Sequence, residues 1–201
     1  MRTTETQTTT REWNRASATR SAYHFVFAAV GLILLVLFTR ILVLNQGVFT
    51  YTLDDPYIHL ALSDQIRHGN YGINAGLHAA PSSSILFPFL LVPFAGMALH
   101  QYVPLILNVA ALFISLEIIR RFLGRLRLVH DTFAAVVVPG VLLLMAICSN
   151  MIGVVFTGLE HSLHVAASIV IIYGLTILVE RNEVPKWLPA FIKVKPRYQV
   201  G

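Results

Sequence analysis

Apolar residues run almost unbroken from Ala22 to Leu44, with Arg40 the one charged residue. Comparable runs cover Val103–Ile119, Thr132–Cys148 and Leu163–Val179. Each approaches the roughly 20 apolar residues that a helix needs to cross hydrocarbon. The pattern predicts an all-α chain, a polytopic transmembrane helical bundle of about four spans. A further apolar stretch, Ile85–Leu99, is shorter and carries Pro88 and Pro93. Proline removes a backbone donor and kinks a helix, so this stretch is expected to form a re-entrant or juxtamembrane hairpin.

Polar positions mark the connections. Asp55-Pro56 reads as a helix start, with Asp as the cap and Pro at the first helical position. The helix is expected over Pro56–His68, stopped at Gly69. Ile58, Leu62 and Ile66 fall four apart on one face, with Asp64, Gln65 and Arg67 off it, which predicts an amphipathic helix lying in the membrane interface. In this reading Asp55 is engaged as the cap and Asp54 keeps its oxygens free. Gly69-Asn70-Tyr71-Gly72 is a turn, and Pro81-Ser82-Ser83-Ser84 suits a helix entry whose N–H groups and hydroxyls can hold an anion.

Composition sharpens the class. Hydrophobic residues make up 56% of the 201-residue chain and charged residues 12%, with a mean hydropathy of +0.68. No soluble domain of this length needs that balance. The first run is too long for a signal-peptide core and lacks a small-residue cleavage site, so it is expected to be a retained anchor. The single cysteine, Cys148, cannot pair within the chain.

The net charge of +5 reads as a topology signal. Thirteen of the 15 Lys and Arg residues lie in the N-terminal tail, in the linker around Arg120–Arg127, or beyond Glu180. With four spans, the positive-inside rule puts both termini in the cytoplasm. The expected organisation is a cytoplasmic tail at 1–20, a membrane module at 21–182 with outer loops at 45–102 and 149–162, and a basic tail at 183–201. The basic residues flank spans, so no nucleic-acid partner is implied.

Both groups of candidate acids then share the outer side. Asp54 and Asp55 sit just beyond the first span, where a carboxylate pair is costly unless it faces water or a partner. Glu160 opens the last span and is the only acid between Asp131 and Glu180. His161 and His164 neighbour it, and His59, His68 and His78 lie in the first loop. Asp, Glu and His together suit a divalent cation. Their spacing matches no closed metal motif, and interfacial histidines commonly serve as hydrogen-bonding tips. Glu117 lies three and four residues before Arg120 and Arg121, as helix-neighbour ion pairs require. Asn108 is expected to hydrogen-bond between helices.

The order Asp54-Asp55-Pro56-Tyr57-Ile58, Gly69-Asn70-Tyr71-Gly72, Pro81-Ser82-Ser83-Ser84-Ile85-Leu86 and Thr157-Gly158-Leu159-Glu160 resembles the loops of C-type (GT-C) membrane glycosyltransferases. The arabinofuranosyl- and mannosyltransferase branch is the nearest in flavour. The resemblance spans roughly Ala22–Val179 and implies a GT-C-like fold, of which this chain is the N-terminal part. It implies transfer of a sugar from a polyprenyl-phosphate donor to an acceptor hydroxyl at the outer face of a bacterial or archaeal cytoplasmic membrane. The catalytic residues it points to are Asp54, as general base, with Asp55 and Glu160. The substrate contacts are Tyr57, His59, Arg67, Ser82, Ser83 and His161. Its partners would be membrane lipid, the lipid-linked sugar and a completing membrane subunit, since family members usually have more spans. The competing expectations are a non-catalytic four-span accessory or scaffold protein and a small transporter.

Orientation is testable by accessibility. In a Cys148-free background, Asn74→Cys should react with a membrane-impermeant thiol reagent on intact cells, and Gly124→Cys should react only after permeabilisation. Labelling of Gly124→Cys from outside would require Ile85–Leu99 to cross the membrane.

Overall fold

The structure is a computed structural model that describes residues 2–82, 84–125 and 132–180. Every regular element among these residues is helical: α1 (Arg2–Leu44), α2 (Asp55–Arg67), α3 (Leu86–Leu91), α4 (Val103–Arg125), α5 (Thr132–Cys148), α6 (Met151–Val155) and α7 (His161–Glu180), with short 3-10 turns after α3 and before α4. The expected basic tail at 183–201 lies outside the described residues.

Among the described residues, three segments are long and apolar enough to cross a membrane: Arg20–Leu44, His100–Arg125 and His161–Glu180. Their composition and length make this a membrane protein. The expected third span, α5, starts and ends where its apolar run does, but at 17 residues it is shorter than these. The segment expected as a tail, residues 1–20, is continuous with the first span in α1 from Arg2 onward. Helix α3 has only six residues, about 9 Å of rise, and cannot cross by itself.

Pairwise packing builds the bundle. Helix α4 lies along α7, and α1 lies along α5. The shared core contains Val26, Val30 and Leu34 of α1, Leu112 and Leu116 of α4, and Leu142 and Ala146 of α5. Phe27 of α1 stacks on Phe113 of α4, with centroids 5.9 Å apart. Side chains facing away, such as Phe25, Leu32, Leu35, Val141, Leu144, Ile171 and Ile172, remain exposed and apolar. Water would disfavour such a surface, whereas lipid does not.

Polar contacts separate the two ends of the bundle. At one end Glu117 accepts from Arg120 and Arg121 at 2.7 Å, as the helical spacing requires. Arg120 lies over the Tyr23 ring, and Arg125 pairs with Glu180 while lying over Tyr173. This end therefore joins the C-terminal halves of α4 and α7 to Tyr23 of α1. Asp54, Asp55 and Glu160 occupy the opposite end.

There Tyr51 fastens the connections to the helices. Its buried hydroxyl donates to Gln101 O at 2.7 Å and accepts from Leu105 N at 3.1 Å. Leu105 N belongs to the first turn of α4, where backbone donors have no helical partner. The Tyr51 ring meets Phe49 and Tyr57 edge-on. Thr52 donates through both its N–H and its hydroxyl to Phe156 O, joining the first connection to the second. Asn108, expected to bridge helices, is fully buried in α4 with both amide atoms unpartnered among the described residues.

Removing only the Tyr51 hydroxyl leaves one buried donor and one acceptor unmet. Such groups cost about 1–3 kcal/mol each. Tyr51→Phe should lower the thermal unfolding midpoint in detergent while keeping the helical circular dichroism signal. An unchanged midpoint would show that the bridge contributes nothing.

Candidate active site at the acidic end of the bundle

Helix α2 supplies the first wall of the site. It begins one residue earlier than its sequence suggests. Asp54 stands at the cap position with φ −86° and ψ −28°, and its side chain makes no capping bond. Asp55 is already in the first turn. The expected division, Asp55 as cap and Asp54 free, is therefore displaced. Pro56 fixes the backbone without needing a capping side chain, and Tyr57 N donates to Asp54 O at 2.9 Å. The helix ends at His68, before Gly69 at φ +80°. Its buried face carries Pro56, His59, Leu60, Leu62 and Ser63, so Leu62 of the expected stripe is buried while Ile58 and Ile66 lie at its margins.

The second wall is the turn before α7. Gly158 has φ +71°, and a Cβ there would lie 2.5 Å from the Tyr51 ring and 2.9 Å from Pro56 Cβ. Only glycine allows the Thr157–Glu160 turn to sit this close to the start of α2. The contact brings Glu160 to the helix that carries Asp55 and His59. The preceding segment, expected as plain loop, holds the one-turn helix α6, entered through Asn150 at φ 52°.

A cavity of about 350 Å³ lies between these walls, lined by Asp55, Ile58, His59, Pro81, Ser82, Leu159, Glu160 and His161. His59 is buried at its centre. Its ring meets Phe87 of α3 edge-on at 5.2 Å. Ser82 Oγ lies 3.2 Å from His59 Nδ1. The same hydroxyl donates to Ser84 O at 3.0 Å and accepts from Ser84 N at 3.1 Å. On the other side of the His59 ring, Nε2 faces Glu160 Oε2 at 3.7 Å. Burial pushes the His59 imidazole below its ordinary pKa, against the opposing pull of the Glu160 and Asp55 carboxylates. Glu160 is 8% exposed, and its Oε2 is buried without a hydrogen-bond partner among the described residues.

The residues singled out from sequence divide into two groups. Asp55, His59, Ser82, Glu160 and His161 line the cavity. Asp54 is exposed beside it and does not line it. Tyr57 directs its hydroxyl to Tyr51 N, accepting at 3.0 Å. Arg67, twelve residues along α2 from Asp55, is about 18 Å away along the axis and donates to Ala95 O. Ser83 lies outside the described residues.

One polar cluster had no sequence signal. Ser63, buried in α2, donates to Leu60 O at 2.7 Å and is hydrogen-bonded to His100 Nε2 at 2.8 Å. Asp64 Oδ1 lies 4.0 Å from His100 Nδ1. The identities are those of a hydrolytic triad, but Ser63 is wholly inaccessible. The cluster clamps α2 to the start of α4. Ser63 and His100 are 37 residues apart, so only the fold unites them.

No family model, curated protein or solved structure matches this chain. Its function is therefore argued from its own residues.

Gly158 carries the geometric burden of the site. Gly158→Ala should force the second connection away from Tyr51 and Pro56. A thiol probe at Leu159→Cys should then react measurably faster than in the Gly158 parent, with Cys148 removed from both. Equal rates would show that the two walls do not depend on this close approach.

Proposed function

We propose that this protein is a multi-pass GT-C-like membrane glycosyltransferase. In this reading α5 completes a fourth span, Ile85–Leu99 forms the membrane-dipping hairpin, and both termini lie in the cytoplasm. The reaction moves a sugar from a polyprenyl-phosphate donor to an acceptor hydroxyl at the outer face. One observation carries the reading. The cavity gathers carboxylates and hydrogen-bonding side chains from both connections at a single end of membrane-type helices. Its volume lies within the usual range for small-molecule sites.

The chemistry needs a base, since a sugar hydroxyl is a weak nucleophile. Geometry favours Asp55, which lines the cavity, over Asp54, which does not. Asp55 takes the acceptor proton as the acceptor oxygen bonds to the anomeric carbon. The bond from that carbon to the phosphate oxygen breaks, and the lipid phosphate leaves with the electron pair. Attack opposite the leaving group inverts the carbon. Ser82 and His59 lie where sugar hydroxyls can be bound, and the apolar outer side of α3 can face the lipid tail. A completing membrane subunit is a further proposed partner.

Base removal commonly costs on the order of a hundred- to ten-thousand-fold in rate. Asp55→Asn should lower transfer from a polyprenyl-phosphate sugar, measured in membranes, by that range at unchanged protein level. Asp54→Asn should cost much less. The reverse ranking would return the base role to Asp54. Absence of transfer by the unaltered protein in native membranes would favour the accessory-protein reading.

A further inference from the structure

We propose that Glu160, His161 and His164 bind a divalent transition-metal cation at the mouth of the cavity. A carboxylate oxygen and one nitrogen from each imidazole lie within 4.8 Å of one another. The arrangement follows from the start of α7. Glu160 directly precedes the helix, His161 is its first residue, and His164 stands four residues after Glu160, on the same face. Metal–ligand bonds of about 2.0–2.2 Å place tetrahedral donors about 3.4 Å apart. Both imidazoles are exposed, so side-chain rotation can close the difference.

A second, independent observation points to a cation. Glu160 is nine-tenths buried, and its Oε2 has no hydrogen-bond partner among the described residues. His59 Nε2 faces this oxygen at 3.7 Å, beyond hydrogen-bond reach. A buried carboxylate oxygen without a donor is costly, and a cation satisfies its charge as well as its lone pairs. His59 stands outside the ligand set.

The donor types select the ion. Two imidazoles and one carboxylate suit zinc, cobalt, manganese or iron(II) better than the oxygen-seeking magnesium or calcium. Three protein ligands leave coordination positions open, as metal sites that act on a ligand do. Glu160 and His161 also line the cavity, so a phosphate, carboxylate or hydroxyl oxygen held there would be placed to complete the shell. The positive end of the α7 dipole opposes a cation, and the Glu160 carboxylate at that end offsets it.

This inference does not depend on glycosyl transfer, because metal binding is read directly. The full chain, purified in detergent without a polyhistidine tag and stripped with chelator, is titrated with Co²⁺ and followed by visible absorption. One equivalent should give a bound-cobalt band. Glu160→Gln should abolish it, and His161→Ala and His164→Ala should each weaken binding at least tenfold. His78→Ala, in an exposed loop, should leave it unchanged. The two exposed histidines are expendable to the core, so a His161→Ala/His164→Ala double variant with an unaltered circular dichroism spectrum excludes misfolding. No band for the unaltered protein would overturn the proposal. So would binding by Glu160→Gln or by the double variant as tight as that of the unaltered protein, or a comparable loss in His78→Ala, which marks adventitious surface coordination. Cobalt binding without sugar transfer would retain this site and remove the reading above; transfer without cobalt binding would do the reverse.

Discussion

The Tyr51 phenol is the contact on which the acidic end of the molecule depends. One hydroxyl meets two groups from the start of α4, and the ring fills the space left by the missing side chain of Gly158. Burial pushes the Tyr51 pKa upward, so the group stays protonated and can donate and accept at once. Without this anchor, the connection after α1 and the turn before α7 would lack a common floor. Membrane helices can pack through their own apolar faces, but their connections need specific polar fastening to hold a defined shape.

Much of the helical pattern was legible because lipid imposes a coarse rule. A long apolar run must satisfy its own backbone, and a helix does so. The start of α4, both limits of α5 and the Glu117–Arg120–Arg121 pairing follow from spacing alone. Details at the α2 entrance were less readable. Asp-Asp-Pro offers two adjacent residues for one cap position, and proline fits either N1 or N2. In the fold Pro56 packs closely against Gly158, a tertiary contact that local spacing does not reveal. The one-turn helix α6 was hidden for a similar reason: five residues carry too little periodicity to stand out from a loop.

The site was half visible. Acids on a shared side of the spans suggested a common centre, and the cavity does unite residues from both connections. Their ranking could not be read from the chain. Asp54 and Asp55 are chemically identical, and only the rotation of α2 separates them. Arg67 is the sole Lys or Arg in the two connections that carry the candidate acids, which made it an expected substrate contact. It stands about 18 Å along α2 from Asp55 and donates to Ala95 O. The orphan oxygen of Glu160 also had no sequence signature, because burial depends on residues distant along the chain.

Helix α3 has two unlike faces, with consequences for how the cavity is reached. Phe87, Pro88 and Leu91 face inward, and Phe87 touches His59, while Ile85, Leu86, Phe89 and Leu90 are exposed. On the glycosyl-transfer reading proposed above, that outward apolar face would meet a lipid-linked donor from the side, and the frequency of encounter would follow the donor's surface density among the lipids rather than its aqueous concentration.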